Sequence, residues 1–140
     1  MLDAIRSLFK RRPQMPLPSV PEGERYYAIG DIHGRLDLFE AMVAAIEDDD
    51  ASRQAMNSQV VLLGDLVDRG PDSAGVVALA RNWQKERTVR ILAGNHEQMM
   101  LDAFKKPEIL RHFLKHGGRE TLMSYGLTKK QFSAMSQRGL

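Results

Sequence analysis

The amino-acid sequence predicts an α/β fold, in which a mostly parallel sheet forms in the order β-α-β-α-β and is followed by helices. Three observations support this prediction. Short apolar runs alternate with longer segments, each run ends at a glycine, and the longer segments carry apolar residues at the helical period. Alternation of this kind favours parallel strands with helices packed on the sheet. A chain of 140 residues is long enough for one such domain.

A proline-rich segment precedes the first strand. Four prolines fall within nine residues, where their fixed φ and missing N–H donors exclude a continuous helix or a central strand: Pro13, Pro16, Pro18 and Pro21. We therefore predict a basic N-terminal segment and linker over residues 1–24, and a folded domain over residues 25–140.

The first strand-turn-helix unit begins with an apolar run at residues 26–29. Gly30 marks a turn, and apolar residues then recur at the helical period over residues 36–46. The acidic run at residues 48–50 follows, and we predict that it forms a solvated loop at the end of this helix.

The second unit repeats the pattern, with a strand at residues 60–63 that ends at Gly64 and a helix at residues 73–86. A third strand is predicted at residues 88–93, ending at Gly94. The sheet therefore has three predicted strands, each followed by a glycine-containing turn.

The remainder of the chain, from residue 97 onward, reads as helices interrupted by Pro107 and by the Gly117–Gly118 pair. His112 and His116 are four residues apart, but no acidic residue lies between them in the HExxH manner, so we interpret them as ordinary helix surface. Four large apolar residues of the first of these helices are predicted to fill the core: Met99, Met100, Leu101 and Phe104.

The basic character of the chain is local. The formal net charge is +2, yet residues 1–12 hold four basic residues against one acidic residue, which leaves 16 basic and 17 acidic residues elsewhere. The body of the protein is therefore close to neutral. Since this basic excess is confined to one terminus and has no aromatic stacking platform beside it, we predict no nucleic-acid partner.

Residues 1–12 place apolar residues at helical spacing beside basic ones, without the continuous apolar stretch of a secretory signal. We interpret this segment as a loosely docked terminus, and contact of a short amphipathic helix with an anionic membrane is the less favoured alternative. The chain has no cysteine, which excludes disulfides and thiolate metal sites and fits a reducing compartment, so we expect a cytoplasmic protein.

Polar clusters directly follow all three predicted strands. Their members are Gly30-Asp31-Ile32-His33-Gly34, Gly64-Asp65-Leu66-Val67-Asp68-Arg69-Gly70 and Gly94-Asn95-His96-Glu97. Because ligands of open α/β sheets bind beyond the carboxyl ends of the strands, we expect these clusters to meet at one edge. Asp, Asn and His side chains suit divalent metals such as Mn, Fe or Zn, and the glycines allow close backbone approach.

In motif type, order and spacing, these clusters resemble the GDxHG, GDxxDRG and GNHE signatures of the calcineurin-like metallophosphoesterases, specifically the bacterial phosphoprotein phosphatase branch. The resemblance covers roughly residues 25–126, since Gly118-Arg119-Glu120-Thr121-Leu122 and Ser124-Tyr125-Gly126 are also similar to phrases of bacterial members. It implies that residues 25–140 are the N-terminal half of a metallophosphoesterase α/β/β/α sandwich.

The resemblance also implies a dinuclear metal centre, with manganese favoured over iron or zinc. Asp31 and His33 would ligate the first metal, Asp65 would bridge both metals, and Asn95 would ligate the second. A carboxylate bridge holds two cations close enough to activate a shared water for attack on phosphorus.

Catalytic and substrate-binding roles follow from the same resemblance. His96 would be the general acid that protonates the leaving oxygen, and Asp68 would orient its imidazole. Arg69 would clamp phosphate oxygens, because its planar guanidinium offers paired donors. Asn95 and His96 would also contact the substrate. Taken one at a time, Asp68 and Arg69 could instead form a local ion pair, and His96 could be a residue at the start of a helix.

Two departures from the family pattern bear on function. Ala93 stands where many protein phosphatases of this branch carry a phosphate-contacting arginine. The family also takes two further histidine ligands, and the opposing sheet of its sandwich, from a region beyond residue 140. We therefore expect a truncated chain that is weakly active or inactive as it stands and that leaves one sheet face without its cover.

The leading hypothesis is a metal-dependent phosphatase that resembles serine/threonine protein phosphatases and acts on a phosphorylated protein or a small phosphoester. The first alternative is a hydrolase of dinucleotide polyphosphates of the diadenosine tetraphosphate type. The second alternative is a noncatalytic remnant that binds one metal through Asp31, His33 and Asp65, or none. The sequence does not indicate an oligomeric state.

Overall fold

The computed structural model describes residues 17–132, and the amphipathic segment predicted at residues 1–12 lies outside them. Three strands and five α-helices follow in order: β1 (Glu24–Ile29), α1 (Leu36–Ser52), β2 (Asn57–Leu62), α2 (Ser73–Glu86), β3 (Val89–Ile91), α3 (Asn95–Ala103), α4 (Pro107–Phe113) and α5 (Arg119–Ser124). A π-turn (Leu114–Gly118) joins the last two helices. No helix within the described range is long and apolar enough to cross a membrane.

The sheet has the order β1-β2-β3, and both strand pairs are parallel. Tyr27 pairs with Val60, which in turn pairs with Val89, so these three side chains point to the same face. The predicted α/β class, the β-α-β-α-β order and the helices that follow are therefore confirmed.

The core lies between this face of the sheet and the helices α1 and α2. Val60 and Leu62 of β2 are fully buried, and Phe39 of α1 meets Trp83 of α2 edge to face with ring centroids 6.1 Å apart. The two helices present their apolar stripes to the sheet because those residues recur at the helical period. This packing holds the carboxyl ends of the strands in fixed positions.

The opposite face of the sheet is open within the described residues. Strand alternation points Tyr26 and Leu63 to this face, where their exposed fractions are 41% and 53%, and Leu92 after β3 is 48% exposed. Within residues 17–132, no second sheet packs on these side chains.

The strand bounds differ from the predicted ones. β1 begins at Glu24 and β2 at Asn57, both earlier than predicted, whereas β3 is confined to Val89–Ile91. The additional residues of β1 and β2 are mainly polar and join the ladder through backbone pairing, for which apolar side chains are not required.

The prediction of a solvated loop at residues 48–50 is wrong. α1 continues to Ser52, and Asp50 accepts hydrogen bonds from Ser58 and Arg25, both at 2.6 Å, and from Arg87 at 3.1 Å. These bonds, that from Ser58 foremost, lower the pKa of Asp50 below its ordinary value. The acidic run therefore ties the end of α1 to β1, to β2 and to the segment after α2.

The core prediction for α3 is also wrong in two places. Leu101 and Phe104 are 52% and 72% exposed, while Met99 and Met100 are partly buried. Within residues 17–132, Leu101 and Phe104 are therefore surface residues rather than part of the core.

Candidate metal centre

The loops after the three strands meet at the carboxyl edge of the sheet, as expected. The first loop donates backbone hydrogen bonds to the second, from the amides of Ile32 and His33 to the carbonyl of Asp65 and from Gly34 to Leu66. The amide of His96, at the start of α3, donates to the Asp65 carboxylate at 3.0 Å. Asp65 is thus held between the first and third loops.

Asp31, His33 and Asp65 form the first half of the candidate centre. One ligand atom from each lies within 4.8 Å of the other two. The His33 imidazole donates its Nδ1 proton to the carbonyl of Val67 at 2.9 Å, so Nε2 carries the free lone pair. Nε2 is buried without a hydrogen-bond partner and lies 3.7 Å from Asp31 Oδ2. An oriented imidazole with an unpartnered nitrogen beside two carboxylates fits a divalent cation.

Asn95 is the first residue of α3 and is exposed. The hydrogen bond from the amide of His96 to the Asp65 carboxylate places Asn95 at the same edge of the sheet as Asp65. The Asn95 side chain makes no hydrogen bond within residues 17–132, which leaves the amide oxygen available to a ligand.

Asp68 and His96 form a buried pair next to this cluster. The distance from His96 Nδ1 to Asp68 Oδ2 is 2.7 Å, and the two side chains are 4% and 0% exposed. The His96 ring also meets that of His33 edge to face, with centroids 4.7 Å apart. The pair therefore adjoins the candidate metal ligands directly.

The hydrogen bonds of His96 define its protonation. Arg69 Nη2 lies 3.0 Å from His96 Nε2, and a guanidinium can only donate, so Nε2 is the acceptor. Nδ1 donates to the Asp68 carboxylate. His96 is consequently the neutral tautomer with its proton on Nδ1, and Arg69 is exposed beside it rather than paired with Asp68.

Glu97 is a site residue for which the sequence suggested no role. Its carboxylate accepts backbone hydrogen bonds from Asp65, Leu66 and Gly94, each at 2.8 Å, and from Val67 at 3.2 Å. One side chain therefore joins the second loop to the third. Its place in the GNHE motif could have indicated that Glu97 belongs to the site. The sequence does not show that its partners are backbone amides.

Backbone strain is concentrated at this site. Among the described residues, positive φ values outside glycine occur only at His33 (45°), Asp65 (53°), Asp68 (74°) and Arg69 (68°). Each such residue costs about 1–3 kcal/mol, which the surrounding hydrogen bonds must offset. Gly94 is required for a different reason, since a Cβ there would collide with the Asp65 carboxylate.

His112 and His116 lie apart from these ligands. Their rings are 3.9 Å apart, both residues are exposed, and His116 Nδ1 donates to the backbone carbonyl of His112. No third carboxylate or imidazole joins them in the part of the chain that the structure covers.

Comparison with known proteins identifies related chains. A family model described as calcineurin-like phosphoesterase matches residues 24–136. An asymmetrical bis(5'-nucleosyl)-tetraphosphatase of Oceanobacillus iheyensis is 30% identical over 106 residues, covering 74% of this chain and 41% of that protein.

Two further relatives match a shorter stretch. Serine/threonine-protein phosphatase 1 of Salmonella typhimurium is 39% identical over 77 residues, covering 55% of this chain and 32% of that protein. A symmetrical bis(5'-nucleosyl)-tetraphosphatase of Acidovorax sp. is 46% identical over 77 residues, covering 55% and 25%. The chain therefore spans between 25% and 41% of the length of these three relatives.

A solved crystal structure, assigned provisionally as a diadenosine tetraphosphatase, superposes with a TM-score of 0.50 and 26% identity. The match covers 84% of this chain and 45% of that one. The described residues therefore share the fold of less than half of that solved chain.

Proposed function

Because the chain belongs to the calcineurin-like phosphoesterase family, we propose that its candidate centre hydrolyses phosphate monoesters, in the manner of a serine/threonine protein phosphatase, with two divalent metals. The observation that carries this proposal is the buried Asp68–His96 pair beside the Asp31, His33 and Asp65 ligand atoms. A proton-transfer group and a metal-ligand group at one edge suit phosphoester hydrolysis.

The ligands divide between the two metals in this proposal. Asp31 and His33 would hold the first metal, Asn95 would hold the second, and Asp65 would contribute its carboxylate to both. Oxygen and imidazole donors without sulfur favour manganese, with iron or zinc as alternatives. When bound, the metals supply activation of the attacking water and neutralisation of phosphate charge.

The remaining residues handle the proton and the phosphate. For His96 to act as the acid, Arg69 must release Nε2, which then takes a proton from water to give the imidazolium. Asp68 stabilises this imidazolium through the proton on Nδ1. The Nε2 proton passes to the leaving oxygen, and His96 returns to the neutral tautomer with its proton on Nδ1. Arg69, once released, is free to donate paired hydrogen bonds to phosphate oxygens, with Asn95 and His96 as further contacts.

The substrate class has two candidates. A phosphorylated protein or small phosphomonoester is favoured by the GDxxDRG and GNHE motifs. Dinucleoside tetraphosphates are favoured by the relatives named for that activity, and by Ala93, which removes one of the arginines expected of a protein phosphatase. A noncatalytic chain that binds one metal or none is the third hypothesis. We propose a cytoplasmic location, supported by the absence of cysteine.

Manganese binding tests the ligand assignment on the 140-residue chain itself. We expect calorimetry to show Mn²⁺ binding that Asp65→Asn and His33→Gln each weaken by more than about 10- to 100-fold, the usual cost of losing even an outer-shell partner. Glu86→Gln and His116→Gln are matched controls, because these exposed residues lie away from the site. Unchanged affinity in both ligand variants would contradict the assignment, and two tight manganese sites would exclude the noncatalytic hypothesis.

Substrate preference is tested with two hybrid proteins. In each, residues 24–103 of this chain, from the start of β1 to the end of α3, replace their counterpart in the Salmonella protein phosphatase or in the Acidovorax tetraphosphatase. With manganese and equal concentrations of an aryl phosphate and diadenosine tetraphosphate, we expect both hybrids to prefer the aryl phosphate, because this segment carries the proposed acid and clamp.

If each hybrid instead prefers the substrate of the parent enzyme that supplies the rest of its chain, this segment does not select the substrate. If both hybrids prefer the dinucleotide, the alternative function replaces the proposed one. The two parent enzymes are the controls for each activity.

A further inference from the structure

Asp68 is fixed by two hydroxyl groups from helices outside the three motifs. It is fully buried with a φ of 74°, and its amide donates to Thr121 Oγ1 at 2.8 Å and to Ser73 Oγ at 3.0 Å. Thr121 is 53 residues away in α5 and is itself fully buried. An unfavourable backbone conformation is thus held by contacts remote in sequence.

The direction of these hydrogen bonds follows from counting protons. Thr121 Oγ1 lies 2.6 Å from Asp68 Oδ1 and gives its single proton to that carboxylate oxygen. The 3.0 Å contact between Ser73 and Thr121 must therefore use the Ser73 proton. The other oxygen of Asp68 accepts from His96 Nδ1. A single chain of donors therefore runs from Ser73 through Thr121 to Asp68, which accepts from His96 on its far side.

The attachment of α5 does not depend on the Thr121 hydroxyl alone. Gly117, in the preceding π-turn, accepts a hydrogen bond from the Arg69 amide, and Ser124 Oγ accepts one from the Ala74 amide. These contacts hold the segment against the Asp68 loop and against α2. The Thr121 hydroxyl, in contrast, makes hydrogen bonds only with Asp68 and Ser73 within residues 17–132.

We propose that Thr121 is a positioning residue, whose hydroxyl fixes the Asp68 carboxylate and thereby orients the His96 imidazole with its proton on Nδ1. Its meaning for catalysis rests on the proposed role of His96 as the acid. A carboxylate without this donor can rotate away from His96, because its other oxygen alone would then define its orientation. The segment Gly118-Arg119-Glu120-Thr121-Leu122, which had no assigned role, thereby gains one.

The test is an NMR measurement on the metal-free 140-residue chain labelled with ¹⁵N. The Nδ1 proton of His96 should give a downfield resonance, identified by its loss in His96→Asn. In Thr121→Val, which keeps the side-chain shape, exchange of this proton with water should accelerate about 10-fold or more, as expected for loss of a hydrogen bond to a charged group. Thr121→Ser should restore slow exchange.

Ser124→Ala is the matched control, because it removes a hydroxyl from the same helix without touching Asp68, and it should leave the exchange rate unchanged. An unchanged rate in folded Thr121→Val, or equal acceleration in the Ser and Val variants, would overturn the proposal. If Thr121→Val does not fold, Thr121→Ala replaces it, because this variant also removes the hydroxyl that donates to Asp68. Faster exchange in Thr121→Ala supports the proposal, and an unchanged rate overturns it. This measurement needs neither metal nor substrate, so its failure is distinguishable from failure of the proposed function.

Discussion

Replacing His96 with asparagine in the more active hybrid is expected to lower kcat by about 10²–10⁴-fold, the usual contribution of a positioned general acid. His96 is buried against Asp68, and the imidazole next to it, His33, is proposed as a metal ligand rather than as an acid. The measurement is steady-state hydrolysis of aryl phosphates at saturating manganese. Glu86→Gln, at the exposed C-terminal end of α2, is the control and should leave kcat unchanged.

The choice of leaving group makes this result specific to proton donation. A leaving group that is already stable as an anion, such as 4-nitrophenolate, needs little help from an acid, whereas phenolate needs more. The loss caused by His96→Asn should therefore be smaller for 4-nitrophenyl phosphate than for phenyl phosphate. Equal losses for both substrates would show that His96 acts otherwise than as the acid, and retained activity would remove it from the mechanism.

Replacing Glu97 with alanine is expected to destabilise the 140-residue chain by about 3 kcal/mol or more. The carboxylate accepts four backbone hydrogen bonds, and each buried donor left unsatisfied costs about 1–3 kcal/mol. Water can reach some of these amides in the variant, so the total loss of stability is expected to be smaller than four times the largest single cost. Urea unfolding of the two chains measures the difference directly.

Glu97→Gln keeps the side-chain volume of glutamate but replaces one acceptor oxygen with an NH₂ donor. It therefore tests whether stability depends on the accepted hydrogen bonds rather than on packing. The glutamine amide group would face two of the backbone donors, so this variant should lose nearly as much stability as alanine. Glu108→Ala, at an exposed position in the first turn of α4, is the control and should change stability by less than about 0.5 kcal/mol. A loss below 1 kcal/mol in Glu97→Ala would refute the view that this side chain joins the two loops.

The fold was predictable because its helices carry a strong periodic pattern. α2 begins at Ser73 and ends at Glu86, which is the predicted range, because its buried residues recur at the helical period and Asp72 caps its start. The strand ends were less predictable. Residues such as Glu24 and Asn57 belong to the sheet through backbone pairing, which their polar side chains do not reveal.

The position of the candidate site was predictable for a topological reason. Residues that follow parallel strands meet at one edge, so Asp31, Asp65 and His96 converge whatever the details of packing. Glu97 and Thr121 could not be assigned in this way, because they act on backbone amides and on a carboxylate brought close only by the folded chain. The same limit explains Asp50, whose three partners come from distant segments.

The left-handed backbone conformation lowers stability at four residues of the candidate site: His33, Asp65, Asp68 and Arg69. At each position glycine would relieve the conformational cost but would remove a side chain that the proposed function requires. Substitutions to glycine that raise thermal stability here are therefore expected to weaken metal binding or phosphate binding. Each of the four positions combines a strained backbone with a side chain that glycine cannot replace.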